Sequence, residues 1–509
     1  MSTTQVGIER ERAEGGAPDG SSEHFGVLVV GAGISGIGVA YHLSHRFPGR
    51  SFAVLESRAD FGGTWSVNRF PGARSDSDMY TFGYSFKPWL KDELATAEQI
   101  LAYLSEVIDE NDLGRYIRYR HRVRSASWSS AARQWTVEVT RLDTGEQARY
   151  TADFLWMCQG YYRQDQGYTP QWPGMENFAG PIVHPLTWPQ DLDYAGRRVV
   201  VIGSGATAAT LVPALAAGGA AHVTVLQRSP TYYIASPKSN EMAEVLRSVD
   251  TPAEWTHEII RRLVLKQARE ARERRAKAPD EMRQWFIDQA RQALPPGYDV
   301  DRHFTPRYPL GKQRICRIPE GDFFTAIREG RASVVTDTIE EFTEHGIRLS
   351  SGEILEADVI VTATGFHLSV MGDLPFFVDG APVDWSAAVT YHGIMFTGVP
   401  NLAYIFGYWR SSWTLRVDLI SDLMCRLFEH MDERGATVVV PALRDDEAEM
   451  PLRPWTDPDD FSPGYLLRSV HRVPRQGDRM PWRGTDVGYF DEREILPAAD
   501  FGDGTLIFS

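Results

Sequence analysis

Apolar positions along this chain fall into two distinct patterns. Short apolar runs stand at Val27-Leu-Val-Val30, Phe52-Ala-Val-Leu55 and, after Arg198, Val199-Val-Val-Ile202, and Val223-Thr-Val-Leu226 is broken only by Thr224. Runs of this length with no polar alternation predict strands buried on both faces of a parallel sheet. The first is followed by Val39-Ala-Tyr-His-Leu43, which continues as a helix. From about residue 236 to 300 the spacing becomes helical. Trp255, Ile259 and Leu263 recur at every fourth position, and Met282, Trp285, Phe286 and Gln289 mark a second stripe. Ala278-Pro279 breaks the run between them, because proline lacks the donor a helix interior needs.

Each of two strand–strand units carries a glycine-rich loop. Gly31-Ala-Gly33-Ile-Ser-Gly36 follows the first strand directly. Gly31 makes the tight turn, Gly33 lets the backbone approach a pyrophosphate, and Gly36 lets the helix pack on the strand. The pyrophosphate then lies on free N–H groups at a helix start. The next strand ends in Glu56, placed to accept hydrogen bonds from a ribose diol. The second loop is Gly203-Ser204-Gly205-Ala206-Thr207-Ala208, and its following strand ends in Gln227-Arg228. An acid there would repel a 2′-phosphate, whereas a guanidinium binds one in bidentate fashion. The first site therefore suits FAD and the second NADPH, unless Arg228 is only a solvated cation. Two loops mean two dinucleotides, as in a flavoprotein reduced by a nicotinamide.

Composition removes several alternatives. A chain of 509 residues is too long for one core. A net charge of -15 argues against nucleic acid, which selects a basic face. Cys158, Cys316 and Cys425 lie far apart. They give no metal spacing, no disulfide framework and no CxxC pair, which fits a reducing cytoplasm. No apolar run reaches the ~18 residues of a membrane span. Residues 1–24 are polar and predict a disordered tail. The cations between Arg261 and Lys277 read either as a solvated helix face or as an interfacial helix making peripheral membrane contact.

Between the loops lies Phe178-Ala-Gly180-Pro-Ile-Val-His184-Pro-Leu-Thr-Trp188-Pro189. This string, FxGxxxHxxxWP, resembles that of the Baeyer–Villiger monooxygenases. Flavin-containing monooxygenases share a related string with a different ending, so Trp188-Pro189 favours the Baeyer–Villiger branch. The resemblance runs from about Val27 to near the C-terminus and is closest to the ethionamide-activating branch of mycobacteria. Ser75-Asp76-Ser-Asp78-Met-Tyr80, Phe86-Lys-Pro-Trp89, Gln227-Arg-Ser-Pro-Thr-Tyr232 and Ser412-Trp-Thr-Leu415 carry that closer match.

The resemblance implies an α/β fold of two Rossmann-like dinucleotide-binding domains, for FAD and NADPH, with a helical insertion. The FAD domain is expected over 25–160 and 369–509, the NADPH domain over 161–235 and 301–368, and the helical subdomain over 236–300. It implies an NADPH- and O2-dependent conversion of ketones to esters or lactones through a flavin C4a-peroxide, with sulfide or thioamide S-oxygenation also in reach. Two alternatives stay open: a flavin N- or S-monooxygenase without ester formation, and a non-catalytic flavin redox sensor. The partners expected are a small apolar ketone or sulfide and O2. Oligomeric state is not legible.

Such chemistry needs a cation for the peroxide and the developing oxyanion, and exclusion of water. Arg314, in Tyr308-Pro-Leu-Gly-Lys-Gln-Arg314, matches the family's active-site arginine; Lys312 and Arg317 are nearby competitors. Gln313 stands where many members carry lysine. Asp76, in the loop matching the one beside the flavin, either partners Arg314 or caps a turn or pairs with Arg74. Gly62-Gly63-Thr64-Trp65 would bring backbone and an indole to the flavin. His184 either holds the domain linker or contacts the nicotinamide; the family implies a role in coupling NADPH oxidation to oxygen chemistry. Val361-Thr-Ala363-Thr-Gly365-Phe366 resembles the family's second domain crossing. Tyr408, Trp409 and Trp413 either wall an apolar pocket or pack the core.

Overall fold

The computed structural model describes residues 22–484 and 487–509. Two sheets with parallel centres organise them. In the first, Glu23–Val30 pairs in parallel with Phe52–Leu55 on one side and Gln147–Met157 on the other. An antiparallel run, His121–Ser129, Gln134–Arg141 and Gln147–Met157, extends that sheet. Phe376–Val378 and Leu402–Tyr404, from far along the chain, return to it. The second sheet is wholly parallel, in the order Ala332–Thr336, His222–Gln227, Arg198–Ile202, Val359–Thr362, Ile182–Val183. Val27, Leu28 and Val29 of the first sheet and Val199, Val200 and Val201 of the second are buried. Burial on both faces is what their unbroken apolar runs require.

Each central strand feeds a glycine turn into a helix, Ile34–Arg46 or Ala206–Ala217. Gly31 has φ 103°, and a Cβ there would stand 2.8 Å from the Cys158 carbonyl oxygen. Gly203 has φ 126°, and its Cβ would stand 2.3 Å from the Ala363 carbonyl oxygen. Both loops are thus pressed against the end of the adjacent parallel strand, in a backbone region that side chains disfavour. The helix Thr414–Arg434 covers the first sheet and packs along Ile34–Arg46, burying Val417, Ile420 and Met424.

Two sequence expectations shift. The first strand starts at Glu23, inside the expected tail, because Arg118 grips the Glu23 carboxylate at 2.6 and 2.5 Å. Residues 1–21 of that tail lie outside the described residues. The insertion is helical as expected, over Glu241–Ser248, Ala253–Lys277 and Pro279–Ala293, but the stripes differ. Trp255 is 68% exposed and Ile259 39%, while Thr256, His257 and Ile260 are buried. The inward face is chosen by Tyr80 and Trp89: Ile260 packs on Tyr80, and the Trp89 amide donates to Nδ1 of His257 at 3.1 Å. On the next helix Phe286, Ile287 and Ala290 are buried, and Trp285 faces outward.

Three of the eight cations on Ala253–Lys277 are paired with carboxylates. Arg262 pairs with Glu258, Lys266 with Glu270 and Arg272 with Asp491, and Arg261 donates to the Tyr80 carbonyl. Among the described residues no helix is long and apolar enough to cross a membrane. The three cysteines are free and buried.

Candidate active site

A cavity of about 790 Å³ opens at the C-terminal end of the first sheet, lined from residues 30–165, from Arg314 and from residues 369–413. Gly31, Gly33, Glu56, Gly63, Thr64, Trp65 and Asp76 line it. Gly36 lies beneath, where a Cβ would collide with the Gly31 carbonyl oxygen at 1.8 Å. Glu56 is buried at the strand end, and its carboxylate accepts from the Ala32 and Arg58 amides, each at 2.8 Å. Gly63 has φ 52°, and a Cβ on it would come 3.1 Å from Gly33 Cα. The glycine pair thus brings two loops into contact at the cavity floor. The Tyr162 hydroxyl donates to Thr64 Oγ1 at 3.1 Å, and Trp65 meets Phe82 edge-on. Gln159 also lines the cavity, and both polar atoms of its buried amide lack a protein partner. Buried amides are normally hydrogen-bonded, so a polar ligand such as FAD fits against Gln159.

Arg314 and Asp76 enter the same cavity from different segments, with Nη1 and Oδ1 3.7 Å apart. Arg74 is engaged elsewhere, with Asp322 at 2.5 Å, and the neighbouring Asp78, not Asp76, caps the helix Met79–Phe82. The protein packed around Arg314, whose side chain is 40% exposed into the cavity, opposes its charge, but Asp76 and the phenols of Tyr161 and Tyr465 outweigh this and hold its pKa above the ordinary value. A guanidinium so placed stays charged. Arg317 is turned away, onto Glu93 at 2.6 Å, and neither it nor Lys312 lines the cavity.

Aromatic residues wall the Arg314 end. Tyr161 stacks on Trp413 with centroids 5.4 Å apart, and the Trp413 indole donates to Ser35 Oγ at 2.8 Å. Tyr408 and Trp413 line the cavity. Trp409 instead packs behind, in a small recess with Tyr161, Phe406 and Trp455, and donates to Thr456 Oγ1 at 3.0 Å. Gln159 and Tyr161 were missed from the sequence. Their one local cue is their place just after the strand Gln147–Met157, the edge where ligands of parallel sheets collect.

The second glycine loop stands apart from this cavity. Gly205 starts the helix Ala206–Ala217 without a side-chain cap, so Ala206, Thr207 and Ala208 present the open helix start that suits a phosphate. Ser204 donates to the Ser229 carbonyl at 3.0 Å and so ties the loop to the chain after Arg228, which is exposed. Gln227 turns inward, donating to the His303 carbonyl and Thr336 Oγ1.

His184 does not line the cavity that holds Arg314 and Asp76. Its Nε2 donates to the Gly365 carbonyl at 3.1 Å, and its Nδ1 accepts from the Leu186 amide at 3.1 Å. Gly365, at φ 100°, lies in the return crossing, and Gly167 packs on the imidazole face. The ring therefore pins two chain crossings together. Burial lowers its pKa, which keeps it neutral.

Two glycine-turn nucleotide sites on parallel-centred sheets, the first facing an arginine–aspartate pair, define a flavoprotein of the two-dinucleotide class. Residues 24–242 match the flavin-binding monooxygenase-like family. FAD-containing monooxygenase EthA of Mycolicibacterium smegmatis is 46% identical over 476 residues, covering 93% of this chain and 95% of the relative. Probable FAD-binding monooxygenase AlmA of Acinetobacter baylyi is 43% identical over 487 residues, 96% of each. In three dimensions an oxidized steroid monooxygenase bound to NADP gives a TM-score of 0.75 at 25% identity, covering 95% of this chain and 99% of that one. Cyclohexanone monooxygenase in an open form shares the fold at TM-score 0.73 and 22% identity, covering 96% of this chain and 100% of that one. The chain belongs to the flavin-binding monooxygenase family and is a flavin-dependent monooxygenase.

Proposed function

We propose that this monooxygenase is of the Baeyer–Villiger type: it takes FAD in the first site and NADPH in the second, and converts small apolar ketones to esters or lactones. The overall reaction is ketone plus O2, NADPH and a proton to ester, NADP+ and water. One oxygen atom enters the C–C bond and the other leaves as water. The observation that supports this reading is the Arg314–Asp76 pair facing the cavity that would take FAD.

Bound FAD, reduced by NADPH, supplies the activated oxygen. Gly31, Gly33, Glu56 and Gly63–Trp65 hold it, while the helix start at Ala206 and Arg228 take the phosphates of NADPH. Arg314 stabilises negative charge on the substrate oxygen as the carbonyl is attacked, and needs no proton transfer to do so. Asp76 orients Arg314 and tempers its charge. Tyr161, Tyr408 and Trp413 exclude water from that end, which limits loss of reducing power as hydrogen peroxide. His184, fixed as a neutral tautomer, holds the crossing between the two nucleotide sites. In this reading the FAD domain is 25–160 with 369–509 and the NADPH domain 161–235 with 301–368, with Tyr161, Tyr162 and Arg314 of the second reaching the first cavity.

The test is turnover of phenylacetone and methyl phenyl sulfide under ¹⁸O2 with NADPH, followed by mass spectrometry. Benzyl acetate carrying one heavy oxygen is expected, together with labelled sulfoxide. Labelled sulfoxide without any ester would overturn the ketone assignment and leave an S-monooxygenase. Peroxide alone from both probes would overturn both.

A further inference from the structure

The loop that carries Arg314 belongs to the chain between the second sheet's strands, yet its tip is held by the C-terminal part of the chain. Arg410 Nε donates to the Gly311 carbonyl at 3.1 Å, and the Ser462 amide donates to the Lys312 carbonyl at 2.8 Å. Arg410 is itself fixed. Its Nη1 and Nη2 reach Oδ2 and the carbonyl oxygen of Asp460, both at 2.8 Å, and its guanidinium lies 5.2 Å from the Phe461 ring centre. A planar fork with all three nitrogens engaged defines a position in a way a single point charge does not.

At the other end of the loop, the Cys316 amide donates to the Tyr232 carbonyl at 2.9 Å. Arg314 therefore hangs between two anchors, one at Cys316 and one at Gly311–Lys312. Gly311 completes the fit. It has φ 92°, and a Cβ on it would stand 2.7 Å from Nη1 of Arg275. Arg410 also lies between Tyr408 and Trp413, which wall the flavin-side cavity. One short segment thus shapes the wall and holds the loop that faces it.

We propose that Arg410 is a positioning residue: it clamps the Gly311–Lys312 turn to the C-terminal part of the chain and so keeps Arg314 aimed at the flavin-side cavity. This rests on the role given to Arg314 above. Without the clamp the turn is released and the guanidinium of Arg314 drifts. A misplacement of about 1 Å costs roughly 10²-fold in a positioned reaction. NADPH is then still oxidised, but its electrons leave as hydrogen peroxide and not in product.

The experiment uses the full-length FAD-loaded chain with R410A, R410K, D460N and R314A, and methyl phenyl sulfide and phenylacetone as probes. Two readouts are taken: product and peroxide formed per NADPH, and the rate of tryptic cleavage after Lys312 located by mass spectrometry. R410A is expected to lower product per NADPH by roughly 10-fold or more, with peroxide rising in step and KM for NADPH within about twofold. Cleavage after Lys312 should quicken by about tenfold as the turn opens locally. R410K should lie between R410A and the parent, and D460N should move both readouts the same way. Coupled turnover in R410A beside uncoupled R314A would overturn the clamp. Faster cleavage with intact coupling would also overturn it, since the turn would then move without consequence for Arg314. Coupled turnover in R314A would remove the reading on which the clamp rests. If R410A fails to retain FAD, D460N decides, because Asp460 is 53% exposed and its change is mild.

Discussion

The hydroxyl of Tyr408 donates to Oε2 of Glu492 at 2.5 Å, and the same carboxylate is gripped by the guanidinium of Arg416. Arg416 and Glu492 have side-chain exposures of 0% and 2%. Arg416 also donates to the carbonyls of His392 and Phe406. A buried ion pair with every donor satisfied ties the wall residue Tyr408 to the helix Tyr489–Ile495. Removing one partner leaves the other as an uncompensated buried charge, which costs about 3–5 kcal/mol. Glu492→Ala is therefore expected to lower stability by that order, read by denaturant melts of the FAD-loaded chain. A change under about 1 kcal/mol would show that Arg416 is solvated by other means.

Arg314 and Asp76 should differ in how much they cost. Arg314→Ala removes the cation itself, and product formation should fall by ~10²-fold or more while bound FAD persists. Asp76→Asn keeps shape but loses the charge that orients Arg314, so a smaller fall is expected. Steady-state product assays beside the flavin absorbance separate the two. A larger loss in Asp76→Asn than in Arg314→Ala would reverse the assigned roles.

Both nucleotide loops were legible because their chemistry is local. Strand, glycine turn, helix and terminal residue follow one another, and Gly31 and Gly203 show the positive φ their positions require. Arg314 and Asp76 meet from distant segments, so only resemblance to a family could pair them. Arg410 was missed because tertiary contacts alone set its surroundings, and Gln159 and Tyr161 offered only their place after the strand Gln147–Met157. The helices of the insertion were legible, but not which face turns inward. Trp255 and Ile259 make a helical stripe, but Tyr80 and Trp89 select Thr256, His257 and Ile260 as the inward face. Periodicity shows that a face exists; which face is buried depends on the partner.

Arg228 gives a cofactor-preference test. It is exposed beside the open helix start at Ala206, where a 2′-phosphate would accept from its guanidinium. A charge-assisted hydrogen bond contributes about 1.5–3 kcal/mol when well formed, so Arg228→Ala should raise KM for NADPH by roughly tenfold or more. KM for NADH, which lacks the phosphate, should stay within about twofold. Equal increases for both cofactors would place Arg228 away from the phosphate.

His392 sets an expected pH dependence of stability. It is 4% exposed, and burial, followed by the nearby Arg416 guanidinium, presses its pKa down to about 3. Burial also lowers the values of His184, His257, His303 and His367. In the unfolded chain these imidazoles titrate near ~6.5. As pH falls below that value the unfolded chain binds protons that the native state refuses. The native advantage is therefore complete above about pH 6.5 and is lost on acidification, at up to ~1.4 kcal/mol per pH unit for each such group. For His392 the loss continues to about pH 3, its folded value. Thermal melts should thus give a lower Tm at pH 5 than at pH 7. His392→Asn should flatten that slope, since asparagine tolerates the φ of 52° found there and does not titrate. An unchanged slope in His392→Asn would assign the acid sensitivity to the other buried histidines.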